Sequence, residues 1–240
     1  MAKKIVITAR DLGRTKMENF CARCFWFTYH FPLPSDHPFR SPMPGIVSTL
    51  DSYIRRVVSV TYSEKRSLPD WLANALSGMK VIDVLEPKRW EARVGDFSLV
   101  GQPDAIWKLP DDSVFIVDYK TAQLTPSQEA LFPLYEAQLK AYGYLAQGNG
   151  HTVSGLALVY LQPQPYRDDP DKLLQVSSEQ FTLHFDCVVK QVGSWTREEV
   201  EDMVYALGSI LSQNRPPDGR DQCKGCTSLS NWLEGIDELA

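Results

Sequence analysis

Asp104 and the run Asp118-Tyr119-Lys120 restrict the fold of this chain more than any other residues, because together they tie two strands into one register. Gly101 to Lys108 and Val114 to Thr121 are β-rich runs on either side of the polar turn Leu109-Pro110-Asp111-Asp112-Ser113, which predicts an antiparallel hairpin. With residues 109–113 as the loop, position 108 pairs with 114, 106 with 116 and 104 with 118. That register sets two carboxylates opposite each other on one face, with Cβ atoms about 4.5–5.5 Å apart. Lys120 follows Asp118 by two residues and points to the same face. Facing acids repel unless a cation or a shared proton compensates. A hard divalent ion such as Mg²⁺ suits the pair, since it takes one or two carboxylates and completes its shell with water and phosphate oxygens.

Charges on one face of a hairpin are commonly just the solvated side of a sheet, and Asp-x-Lys is a short pattern. Ile116 and Val117, however, are consecutive apolar residues, which predicts a strand covered on both faces. The acid and the lysine are thus expected inside a strand that otherwise reads as core, and the neighbouring strand supplies a second acid at the matched position.

The rest of the chain predicts an α/β layout. Residues 11–31 read as a helix, followed by a proline-punctuated loop from Pro32 to Pro44. Residues 46–62 have helical spacing, and a short helix is expected near 69–77. Strands are expected at 88–94, 97–108 and 114–121. Pro133 fits the first turn of a helix running to about 147. Strands at 153–161 and 180–189 follow, the second with Phe181, Leu183, Phe185, Cys187 and Val189 on one face, and a helix at about 196–212 precedes the C-terminal cysteines.

Composition bounds the function. The 240 residues are 43% hydrophobic and 23% charged, an ordinary globular balance. No apolar run approaches the ~20 residues of a membrane span, and the first residues carry no signal-peptide core, so a cytoplasmic protein without membrane contact is expected. The net charge of −5 does not advertise nucleic-acid binding. Basic residues are nevertheless grouped: Lys3, Lys4, Arg10, Arg14, Lys16 and Arg23 near the start, then Arg55 and Arg56. Such a group can line one groove while other surfaces stay acidic. Four of the five cysteines, Cys21, Cys24, Cys223 and Cys226, form two Cys-x-x-Cys pairs, which fit a reduced-compartment metal site better than disulfides. Spacing alone does not separate Zn²⁺ from a [4Fe–4S] cluster. Cys187 reads as an ordinary core cysteine.

Pro103-Asp104, thirteen intervening residues and then Asp118-Tyr119-Lys120-Thr121 resemble the PD-(D/E)XK nuclease signature in its RecB-like form, in which Gly-x-x-Asp precedes an apolar strand and Asp-Tyr-Lys-Thr. Gln138 and Tyr142 match that branch's Gln-x-x-x-Tyr helix motif, and Phe20 to Phe27 resembles its opening Cys-Pro-Arg-x-Phe segment. Cys223-Lys-Gly-Cys226 resembles the C-terminal cysteine cluster of CRISPR-associated RecB-like exonucleases. The resemblance implies a restriction-endonuclease-like core with a central mixed sheet flanked by helices. It also implies N- and C-terminal helical segments joined by the four-cysteine site, within one domain over 1–240 (N-terminal helical segment 1–80, nuclease core 81–192, C-terminal helix and cysteine segment 193–240).

For the site it implies Mg²⁺ or Mn²⁺ held by Asp104, Asp118 and the Tyr119 carbonyl, with Lys120 orienting water or stabilising charge. Gln138 and Tyr142 are four apart on one helix stripe; by themselves they read as a satisfied core glutamine and a packing tyrosine, and the resemblance turns them toward the metal site or DNA. The implied function is a DNA nuclease, an exonuclease on single-stranded ends, partnered with a CRISPR integrase or another nuclease/helicase complex. The alternatives are a repair or phage-defence nuclease and a catalytically weak DNA-binding subunit. The implied cofactor at the cysteines is a [4Fe–4S] cluster, with Zn²⁺ as alternative. Two departures stand out. Gly45 to Asp51 lacks the histidine that many RecB-like nucleases carry there, leaving Ser48, Thr49, Asp51, Glu86 or Glu91 as substitutes. Trp232 stands where a third C-terminal cysteine is expected, while Cys24 is extra.

Overall fold

The computed structural model describes residues 4–34, 44–164 and 183–237. The N-terminal region comprises β1 (Ile5–Thr8), α1 (Ala9–Arg14), α2 (Ala22–His30), α3 (Gly45–Lys65) and α4 (Asp70–Ala75). The strands β2 (Asp83–Leu85), β3 (Trp90–Val94), β4 (Phe97–Gly101), β5 (Ala105–Lys108) and β6 (Val114–Thr121) follow. Then come α5 (Pro126–Glu129), α6 (Phe132–Gly148), β7 (Val153–Pro163), β8 (Phe185–Gln191), α7 (Arg197–Leu211) and α8 (Lys224–Asp237).

The mixed α/β architecture is the expected one, but its strands form two sheets instead of one. A five-stranded sheet has the order β2-β5-β6-β7-β8, antiparallel except for the parallel β6–β7 pair. A three-stranded sheet has the order β1-β4-β3, with β1 parallel to β4. The hairpin register is as the sequence predicts: Lys108 faces Val114 and Ile106 faces Ile116.

Alternation along the central strands splits the apolar residues between two cores. Ile106, Val114, Ile116, Leu156, Leu158 and Tyr160 face a core built with α1, α6, α7 and the three-stranded sheet. Ala105, Trp107, Phe115, Val117, Tyr119, Ala157 and Val159 face a second core under α3 and α4. Burial on both faces explains the near-continuous apolar runs of β6 and β7.

The expected strand 97–108 is broken at Gln102-Pro103-Asp104, and its halves belong to different sheets. Proline has no N–H to offer a ladder, so the chain leaves one sheet at Gly101 and enters the other at Ala105. The expected helix 11–31 is likewise two helices, α1 and α2. Strands β1 and β2 and helix α5 were not expected. The strand expected at 180–189 begins at Phe185; Phe185, Cys187 and Val189 pack on the second core as predicted, whereas Leu183 is exposed. Phe181, Lys3 and most of the Pro32–Pro44 loop lie outside the described residues. Among the described residues, no helix is long and apolar enough to cross a membrane.

Candidate active site

Asp104 sits at the break between the two sheets, just before β5, and continues the hairpin register to face Asp118. Its Oδ2 accepts the Tyr119 backbone N–H at 2.8 Å. Asp118 lies inside β6 and is 2% exposed. Its Oδ2 is buried and held in a close ion pair by the Lys120 ammonium. Lys120 also lies over the Tyr135 ring, 4.4 Å from its centroid, so β6 and α6 together fix the cation.

From α6, Gln138 Nε2 donates to Asp118 Oδ1 at 3.3 Å and to the Tyr142 hydroxyl oxygen at 2.8 Å. The inward glutamine is thereby satisfied, as a buried amide must be. Tyr142 is 6% exposed and packed in the first core, so its ring is not free to stack on a base. Gly101 permits that packing: a Cβ there would stand 2.8 Å from the Tyr142 ring.

Helix α3 supplies a contact that the sequence reading missed. Arg55 Nη2 donates to Asp104 Oδ1 at 2.7 Å and to Asp51 Oδ2 at 2.8 Å, bridging the two acids. The i,i+4 spacing of Asp51 and Arg55 was a legible signal for their pairing, but not for its reach to Asp104. Among the residues considered in place of histidine, Asp51 lines the cleft through this bridge. Ser48 lines it too, although its hydroxyl and that of Thr49 donate to the Gly45 carbonyl. Glu86 lines an adjoining cavity with Arg56 and Asp104. Glu91 belongs to the three-stranded sheet, tied to Lys4 and Ser98.

These groups line an open cleft of about 670 Å³, which Arg10 also borders. Burial and the charge of Asp118 push the Asp104 carboxyl up to about 7, against the pull of Arg55 and the Tyr119 N–H. Burial raises Asp118 too, opposed by Lys120. Two facing carboxylates of raised proton affinity form a donor set of the kind that a divalent cation takes.

Cys21, Cys24, Cys223 and Cys226 come together, with all four Sγ atoms within 4.8 Å of one another. Cys187 is not among them and packs against the second core. Burial opposes ionisation of Cys21, but the Arg220 and Cys24 N–H groups and the neighbouring thiols bring it down to about 6.

The PD-(D/E)XK nuclease superfamily profile matches residues 21–230. The chain belongs to the PD-(D/E)XK nuclease superfamily. Membership makes metal-dependent hydrolysis of a nucleic-acid phosphodiester the coarse function. Among solved structures, one described as "Crystal structure of SSO0001" is similar, at 12% identity and a TM-score of 0.42, over 90% of this chain and 80% of that one. A search of the curated proteins returns no match.

Proposed function

We propose that this PD-(D/E)XK protein is a Mg²⁺- or Mn²⁺-dependent DNA nuclease of the RecB-like branch, acting as an exonuclease on single-stranded ends. The observation that carries the reading is the facing pair Asp104 and Asp118, both with raised proton affinity, with Lys120 on the same face. In this reading the two carboxylates and the Tyr119 carbonyl would hold the cation, which would supply activation of water and offset charge on the phosphate. Lys120 orients that water and stabilises the developing negative charge, a contribution of about 10²–10³ in rate for a well-placed donor. Gln138 fixes Asp118 and is itself held by Tyr142, so both act as positioning residues. Arg10 at the border of the cleft supports admission of a nucleic-acid strand in an otherwise acidic protein, whereas Arg55 is already bound to Asp51 and Asp104.

A CRISPR-adaptation role, with a CRISPR integrase or a nuclease/helicase complex as partner, is the extension that the cysteine pairs favour. The Arg55–Asp104 bond favours a second reading, a catalytically weak DNA-binding subunit in which the guanidinium takes the cation's place.

Closed single-stranded circles and linear strands of the same sequence, offered in parallel with Mn²⁺, test the proposal. Degradation of the linear strand alone is expected. Equal cutting of both removes the end-dependent reading, and cutting of neither favours the binding subunit.

A further inference from the structure

Cys21 caps α2 and Cys24 lies in its first turn, while Cys223 precedes α8 and Cys226 lies in its first turn. The two helix starts therefore present two thiols each to a common point. The separations Cys21–Cys226, Cys24–Cys223 and Cys24–Cys226 are all 3.6 Å between Sγ atoms. A single Zn²⁺ with Zn–S bonds of about 2.3 Å at the centre of a tetrahedron requires sulfurs about 3.8 Å apart. A [4Fe–4S] cube instead carries its thiolates on four separate irons, one at each alternate corner. Its sulfurs must stand wider apart than the 4.8 Å that encloses all four here.

The surrounding backbone is drawn in to the same size. A Cβ on Gly225 would stand 2.9 Å from Cys24 Sγ, and one on Gly219 would stand 2.9 Å from Cys226 Sγ. The Arg220 N–H points at Cys21 Sγ at 3.4 Å, a donor suited to a metal-bound thiolate. Widening the sulfur cage to hold a cube would mean moving α2 away from α8. Helix α2 is itself tied to the chain just beyond α7, where Trp26 Nε1 donates to the Gln213 carbonyl at 3.0 Å. With Cys24 present and Trp232 in place of a third C-terminal cysteine, the four donors divide two and two.

We infer that the four cysteines hold one tetrahedral zinc ion, closed to further ligands and structural in role, and that the [4Fe–4S] cluster implied by the resemblance does not fit. The ion joins the start of the nuclease to its end and performs no chemistry on DNA.

The test uses the full chain, expressed with ample iron and purified anaerobically without chelator, followed by assay of zinc, iron and acid-labile sulfide. One zinc per chain without iron or sulfide is expected. Metal-stripped protein, kept reduced, is then titrated with Co²⁺, which should give the visible bands of a tetrahedral thiolate site. Cys226→Ser should bind Co²⁺ at least tenfold more weakly. If that variant does not fold, the titration of the native chain decides alone. Stoichiometric iron with sulfide, iron alone, or the lack of both retained zinc and tetrahedral Co²⁺ bands would each overturn the inference. None of these readings depends on DNA cleavage, so a failure of the nuclease proposal is distinguishable.

Discussion

Replacing Asp104 by asparagine should stabilise the metal-free protein while removing cleavage, because the site holds its facing acids at a cost in fold stability. The folded state raises the Asp104 carboxyl from an ordinary 3.8 to about 7. The sign follows from proton counting. Between those values the folded protein binds more protons than the unfolded chain, so stability falls as pH rises through the window and the loss is complete above about 7. At about 1.4 kcal/mol for each pH unit, the rise from 3.8 to about 7 costs on the order of 4 kcal/mol at neutral pH. The asparagine side chain has nothing to ionise; Tyr119 N–H and Arg55 reach different oxygens of Asp104, so its single amide oxygen keeps one of the two bonds and the other is lost, which lowers the gain. Because Asp118 shares the repulsion, about 4 kcal/mol is the upper end of the gain. The assay is paired urea or thermal unfolding in Mg²⁺-free buffer without chelator, so that the cysteine site is undisturbed. At pH 8 the variant should melt higher, by about 2–4 °C for each kcal/mol gained, and at pH 4 the two should converge. Adding Mn²⁺ should raise the melting point of the parent alone. A variant no more stable than the parent at pH 8, or a gain of equal size at pH 4, would refute the reasoning.

Arg55→Met removes the guanidinium bound to Asp104 Oδ1, so Mn²⁺ binding measured calorimetrically without DNA should tighten; unchanged or weaker binding would show that the arginine does not compete for the cation's place. Lys120→Ala should lower the cleavage rate about 10²–10³-fold with a native circular dichroism spectrum, and should also lower the melting temperature of the metal-free protein above neutral pH, because the buried Asp118 loses its ion-pair partner. Gly101→Ala places a Cβ 2.8 Å from the Tyr142 ring and should destabilise by about 1–3 kcal/mol in urea unfolding, with a lower cleavage rate because Tyr142 holds Gln138.

The hairpin register was legible because its signals are local: alternation on two runs, a polar turn between them and apolar residues on both faces of β6. The same pattern brought Asp104, Asp118 and Lys120 into one place. The partition into two sheets was less accessible. β1 is four residues long and pairs in parallel with β4, more than eighty residues away, and no local pattern announces such a partner. Pro103 could have marked the break within 97–108, and Thr8-x-x-Asp11, which forms a capping box, could have marked the start of α1. Arg55 was readable as a basic residue, but its bond to Asp104 depends on where α3 crosses the sheet. The spacing of the cysteines left zinc and cluster open; the inference of zinc rests on the distances between their sulfurs, which no sequence pattern gives.

The most direct test of the central claim is degradation of end-labelled single-stranded DNA by the purified protein and by Asp118→Ala, side by side, with Mn²⁺, with Mg²⁺ and with neither. The account predicts products only from the native protein and only with a divalent ion present. Cleavage by Asp118→Ala at the native rate, or cleavage by the native protein without a divalent ion, would contradict it.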